Sequence, residues 1–122
     1  MLKLRFSEPL RKQYMDGKIS LCKYKCTIFD NSNKCIVAQF SATGTAKCSP
    51  NDKVNPEFGA KLADSRAKLN AYRAATHLLP DNVIEEWSEK IERQLSVLEF
   101  IDQMHYLKKK EVSHIEDICT EV

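Results

Sequence analysis

Motifs that assign a chemistry are missing from this chain. No nucleophile elbow, P-loop or zinc-binding H-E-x-x-H pattern occurs in its 122 residues, so catalysis is not indicated and no cofactor or metal is expected. His77, His105 and His114 are scattered over helical positions, with no carboxylate or cysteine at a useful spacing. Each reads as a surface or satisfied core histidine, and His77 stands out only because it ends a stripe of arginines. The five cysteines are an odd number and lack the paired C-x-x-C spacing of a zinc site. Cys22 and Cys26, four residues apart on a strand, are separated by roughly 13 Å, too far for a disulfide or a shared metal. They read as small core residues in a reducing cytosol. No apolar run approaches the roughly 20 residues of a membrane span. The start, Met1-Leu2-Lys3-Leu4-Arg5, lacks the apolar run of a signal peptide. The protein is therefore expected to stay in the cytoplasm and away from membranes. A net charge of +2 is too small to advertise nucleic-acid binding, so any basic surface must be local.

What is present is ordinary for a soluble globular domain, with 43% hydrophobic and 30% charged residues. The length allows one domain, or one domain plus a helical appendage. A segment over 7–17, with Leu10, Tyr14 and Met15 on one side, reads as a short helix. From Ile19 to Phe29 the residues alternate, Cys22, Tyr24, Cys26 and Ile28 against Lys23, Lys25 and Thr27, as in a half-buried strand. After the turn residues Asp30, Asn31, Ser32 and Asn33 the alternation resumes with Ile36, Ala38, Phe40, Ala42, Ala46 and Cys48 on one face. Fifteen residues is long for one strand. Gly44 is taken as a bulge or bend, which gives two strands over 34–41 and 43–48.

A helix is expected to start at Pro56, capped by Asn55, and to stop near Leu79 because Pro80 clashes with the preceding turn. At about 100° per residue, Asn70, Arg73 and His77 fall within roughly 40° of Arg66 and form one donor-rich stripe with apolar residues on both sides. Glu57, Lys61, Asp64 and Lys68 cluster on the opposite side, where a solvated face is expected. The two arginines thus point toward the interior or an interface. Buried guanidinium groups need partners: carboxylates from elsewhere in the chain, or an anionic ligand.

Beyond Pro80, Asp81 caps a second long helix, with Glu85 in its opening turns. Ile84, Trp87, Ile91, Leu95, Leu98, Ile101 and Met104 or His105 recur at helical spacing as far as Lys108-Lys109-Lys110. A small sheet with one helix leaves part of that stripe uncovered, so at least a dimer is expected. Ser113 and Glu116 resemble the capping box of a short last helix carrying Ile115, Ile118 and Cys119. The fold read from these elements is α+β: a three-stranded antiparallel meander on a long helix, like a double-stranded-RNA-binding domain, then a second long helix and a short last helix. Residues 1–79 form the ligand-binding core and 80–122 a helical oligomerisation appendage.

The pattern Gly44-x-Ala46-x-Cys48-x-Pro50-x-Asp52, followed by Gly59-x-x-Leu62-Ala63-x-x-Arg66-Ala67, resembles small phage and prophage proteins of the first type of Thoeris anti-defence family. The match covers residues 19–79. The resemblance implies a sponge in the host bacterial cell that binds cyclic ADP-ribose isomers without degrading them; some members of that family also take up cyclic oligonucleotides of a second defence system. It implies dimer-based assemblies with ligand sites between subunits. It also puts Phe40 near the base, Ser49 and Asn51 at the ligand, and Arg66 on its phosphates, with Asn70 and Arg73 following on the stripe. A duplex-RNA-binding module is the alternative, and a cyclic-nucleotide-cleaving enzyme, lacking a visible base and nucleophile, comes third. No nucleic-acid polymer is expected as a partner, because the stripe suits a small enclosed anion better than a long exposed lysine face would.

Overall fold

The alternating stretch that begins at Ile19 is the middle of the sheet. In the computed structural model, which describes residues 2–31, 34–48, 53–82 and 91–120, the elements run β1 (Leu2–Phe6), β2 (Leu10–Tyr14), β3 (Ile19–Asp30), β4 (Cys35–Lys47), α1 (Pro56–Asn82) and α2 (Ile91–Thr120). β1 and β2 lie end to end along one edge of β3, and β4 pairs with the other edge, all antiparallel. The sheet is therefore three strands wide, and the expected α+β class is what the chain adopts.

Residues 7–17 are not a helix. Leu10 and Tyr14 are spaced four apart, which suits a helix turn and an edge strand equally well, and the open edge of β3 decides between them. Both side chains are about half exposed, at 52% and 47%, so they do not form the packing face that a helix would need. Between β1 and β2 the Ser7 amide donates to the Lys25 carbonyl (2.9 Å), and the Lys25 amide donates to the Ser7 hydroxyl oxygen (3.0 Å). These bonds keep the two strands in line across the interruption at Pro9. The connection to β3 turns through Met15, Asp16 and Gly17, all at positive φ (53°, 57° and 85°).

β4 is one strand of 13 residues, not two. Its irregularity lies at Val37: Ile28 pairs with Ala38 and Phe29 with Ile36, which leaves one extra residue in β4. Gly44 keeps strand geometry and serves a different purpose. A Cβ there would run into the main chain of α1 at Ala63 and Ala67, so the glycine lets helix and strand approach backbone to backbone. Ala63, Ala67, Ala71 and Ala75, all at most 1% exposed, extend that close contact along α1.

α1 begins where the sequence places it. The Asn55 side-chain oxygen accepts from the Phe58 amide (3.2 Å), and Pro56 occupies the first helical position. Its end differs, since α1 runs through Pro80 to Asn82. Proline removes one main-chain donor but holds a helical φ, so a helix can continue past it when only its last turn is affected. Asp81, expected as a cap, lies within that last turn. Ile84, Glu85 and Trp87 lie outside the described residues. α2 is continuous from Ile91 to Thr120, with the three lysines in its middle and Ser113 and Glu116 inside it rather than at the start of a separate helix. Nothing between Lys108 and Ser113 breaks a helix, and Ile118, buried at the far end, carries the apolar stripe onward.

Two connected clusters form the core. One joins Leu2 and Ile28 of the sheet to Tyr72 and Ala75 of α1 and to Val97, Phe100 and Met104 of α2. The other packs Cys22, Tyr24, Cys26, Ala42 and Ala46 under Leu62 and the alanines. Of the expected α2 stripe, Met104 is buried, Ile101 is partly buried against this cluster and Leu98 is 59% exposed; the buried face also takes in Val97 and Phe100, which lie outside that stripe, and Tyr106 is 61% exposed. Gly44→Ala is expected to lower stability by roughly 3 kcal/mol, because main chain cannot yield as a side chain can. Thermal unfolding followed by circular dichroism measures this, and a melting temperature equal to wild type would show that α1 does not need the close approach.

Candidate functional site

α1 is covered on two sides, by the sheet along its alanines and by α2 along Leu69 and Tyr72. The Arg66 stripe falls in an open arc between them. Arg66, Asn70, Arg73 and His77 are all exposed, which corrects the expectation that they point inward. Helical periodicity puts residues on a common face but does not say whether that face is covered. The converse correction concerns Asp64, expected on a solvated face and found half-buried and paired.

The stripe borders the free edge of β4. An Arg66 Nη1 hydrogen is donated to the Thr45 carbonyl (2.8 Å), and Asn70 Nδ2 donates to the Thr43 carbonyl (2.8 Å). Arg66 therefore has a main-chain partner, and no carboxylate among the described residues faces it. A guanidinium carries five N–H donors, so the Thr45 contact fixes the group and leaves most of its donors available. Together with Arg73, Leu69 and Ile115 these residues line a shallow trough of about 430 Å³.

One helical turn toward the start of α1, the same seam between α1 and β4 deepens into a cleft of about 530 Å³. Lys18 from the β2–β3 turn, Lys47 and Cys48 from the end of β4, and Lys53 surround it, while Phe58 and Leu62 form an apolar wall. Lys53 and Phe58 come from either side of the start of α1. Lys18 and Lys47 carry no signal in the sequence, because they reach the cleft from a hairpin and a strand end distant in the chain. Phe40 lies elsewhere: it pairs with Cys26 and packs into both core clusters, and it does not line the seam. Ser49 and Asn51 lie outside the described residues.

A second polar cluster sits on another side of α1. The Asp64 carboxylate accepts two hydrogen bonds from Arg11, Nε at 3.0 Å and Nη2 at 2.9 Å, and one from the Cys22 thiol at 2.9 Å, and the Tyr24 hydroxyl also favours its ionised form. Burial alone would raise the Asp64 carboxyl, but these donors and the Arg11 charge outweigh it and hold the group below the usual carboxylate range. Burial, reinforced by Asp64, pushes the Cys22 thiol up to about 12. Burial alone pushes Cys26 up to about 11. Neither thiol is a nucleophile at neutral pH; no disulfide joins the five cysteines, of which Cys22 and Cys26 are buried in the sheet while Cys35 and Cys119 are exposed. No group of three or more metal-ligating side chains occurs among the described residues. The cluster is a structural clasp between β2, β3 and α1. It was invisible in the sequence because Arg11 and Asp64 are 53 positions apart and Arg11 was read into a helix.

No protein-family model, curated protein or solved structure matches this chain.

A carboxyl held below its unfolded value contributes stability that is present above the unfolded pKa of about 4 and is lost as pH falls through the folded value. Asp64→Asn is therefore expected to be less stable than wild type at pH 7, by about 1 to 2 kcal/mol given that Arg11 is largely exposed. The gap should narrow in acid. Denaturant titrations of both proteins at neutral pH and near pH 3 test this, and a gap independent of pH would remove the ion pair from the account.

Proposed function

We propose that this protein binds and sequesters a small phosphate-bearing cyclic nucleotide, of the cyclic ADP-ribose or cyclic oligonucleotide kind, along the seam between α1 and β4, without turning it over. The observation that carries this reading is the composition of the seam. Lys18, Lys47, Lys53, Arg66 and Arg73 line its two parts together with Phe58 and Leu62, and no carboxylate lines either part among the described residues. Like charges gathered around an apolar wall, with no described carboxylate among them, favour a compact anion that also has a flat ring to bury. The start of α1 adds its positive dipole end to the cleft. Arg66, held by Thr45, presents its remaining donors in a fixed fork suited to phosphate oxygens.

Binding without turnover is the reading because, among the described residues, neither lining contains a carboxylate or histidine to act as general base. Assembly into dimers or larger forms belongs to the same proposal, with the ligand between copies, and Leu98 and Tyr106 on α2 are the exposed apolar side chains that support it. No helix among the described residues is long and apolar enough to cross a membrane, which agrees with action on a diffusible signal inside the bacterial host. The duplex-RNA alternative depended on a leading helix, and β2 occupies that place.

Arg66→Ala is expected to weaken binding of a cyclic ADP-ribose isomer about five- to thirty-fold, the equivalent of about 1 to 2 kcal/mol for a charge-assisted bond at an exposed position. Its melting temperature should stay near that of wild type, because no buried partner is left behind. Calorimetric titration and thermal unfolding of the same variant check both. Ligand recovered after heat release should be chemically intact by mass spectrometry. Failure of the wild type to bind any cyclic ADP-ribose isomer or cyclic oligonucleotide would remove the proposal, and linear product accumulating with time would replace binding by cleavage.

A further inference from the structure

A net charge of +2 says nothing about how the cations are distributed, and the strand register shows it. Side chains alternate across a strand. Leu2, Leu4, Phe6, Cys22, Tyr24 and Cys26 pack beneath the helices, which assigns Lys3, Arg5, Lys12, Lys23 and Lys25 to the opposite face of the same strands. All five are exposed. The two helices pack on the inner face, and no described element covers the outer one.

The outer face also lacks compensating charge. None of the outward positions of β1, β2, β3 or β4 is an aspartate or glutamate. The acidic residues nearby are placed elsewhere: Asp30 is buried on the inner side, Asp16 is in the turn at one end, and Glu8 is in the interruption between β1 and β2. From the row of Lys12 and Leu21 to the row of Lys3 and Phe29, the cationic band extends about 27 Å. Beside it on β4 runs a row of hydrogen-bonding side chains, Gln39, Ser41, Thr43 and Thr45, in register with Thr27, Lys25, Lys23 and Leu21. Tyr14 stands exposed at one end, and at the other the Arg5 guanidinium lies 4.5 Å from the centre of the Phe29 ring.

We propose that this uncovered sheet face is a docking surface for single-stranded nucleic acid, with phosphates along the band from Lys12 to Lys3 and bases against the β4 row and Tyr14. Charge complementarity selects a polyanion. A strip of cations with donors, acceptors and an aromatic ring beside it matches a backbone with unpaired bases. A duplex would need an element that enters a groove, and the flat face presents none. This surface borders the seam along Thr43 and Thr45, which also line the trough beside Arg66, and Lys47 stands at the corner between them.

The test uses the full chain and a fluorescein-labelled oligouridylate of about 16 nucleotides, followed by anisotropy between about 50 and 200 mM salt. Five phosphate contacts on a single strand give a log–log salt slope of about −3.5. The triple variant Lys12→Gln/Lys23→Gln/Lys25→Gln should reduce that slope by about 2 in magnitude and weaken binding roughly ten-fold or more at the lower salt, with unchanged melting temperature. Arg66→Ala/Arg73→Ala, on the seam, should bind the oligonucleotide like wild type. The proposal is overturned if wild type does not bind, if the triple variant binds equally well, or if the seam variant is the one that loses binding. Equal competition by a hairpin duplex would overturn the single-strand assignment. Binding to phosphatidylserine vesicles but not to the oligonucleotide, lost in the same triple variant, would give the face to a membrane instead.

Discussion

α1 crosses β4 main chain against main chain at Gly44, and the rest of the molecule follows from that contact. With no Cβ at Gly44 and the Ala63 and Ala67 turn of α1 set against it, the helix lies lower on the sheet than a layer of leucines would allow. The low position has two effects. It buries the small inner residues of β3 and β4 without large side chains, and it brings Arg66 and Asn70 within reach of the Thr45 and Thr43 carbonyls. An edge strand ordinarily exposes a row of unpaired carbonyls and amides that invites pairing with another chain. Here two helix side chains occupy part of that row, so one arrangement both protects the edge and holds a guanidinium in place.

Where one physical cause acts locally, the sequence was legible. Asn55-Pro56 starts α1 because capping needs only neighbouring residues, and β3 is readable because its inner and outer residues differ sharply in polarity. Legibility fails where two causes give the same local pattern. Leu10 and Tyr14 satisfy a helix or a strand, and only the pairing edge of β3 resolves them. Gly44 in a strand signals either a bend or a close neighbour, and the neighbour is a helix that begins twelve residues later. The Arg66 stripe shows the same limit: its residues share a face as the periodicity requires, but whether α2 or solvent lies over that face depends on packing that no local pattern encodes. Phe40 shows it from the other side, since an aromatic at a strand position fits a core as well as a ligand.

The placement of α2 determines which surfaces stay open. It packs on α1 and reaches the start of β1, thereby covering its own Val97, Phe100 and Met104 and leaving the far side of the sheet uncovered by any described element. Had it crossed the sheet instead, the cations of β1, β2 and β3 would be buried at high cost. The lysines therefore fix which side of the sheet can carry helices, and the alanines fix how closely α1 approaches. Negative charge is drawn inward where it is matched, as at Asp64, which accepts three hydrogen bonds from Arg11 and Cys22.

The two cationic surfaces that result differ in kind. On the seam, a guanidinium anchored to a main-chain carbonyl and lysines beside Phe58 and Leu62 form a concave, partly desolvated site. There, charge interactions are strong because water is displaced, and the geometry selects for shape. On the sheet face the charges are mainly ammonium groups on flexible stems, spread over a flat strip and fully hydrated. Individually such contacts are weak and screened by salt, so they matter only when a partner engages many of them at once. A small cyclic nucleotide can satisfy the first surface but reaches too few charges to gain from the second, whereas an extended strand gains from the second and is too long for the enclosed end of the first. The same two layers of secondary structure thus separate a site for a compact anion from a surface for an extended one, with α1 as the boundary.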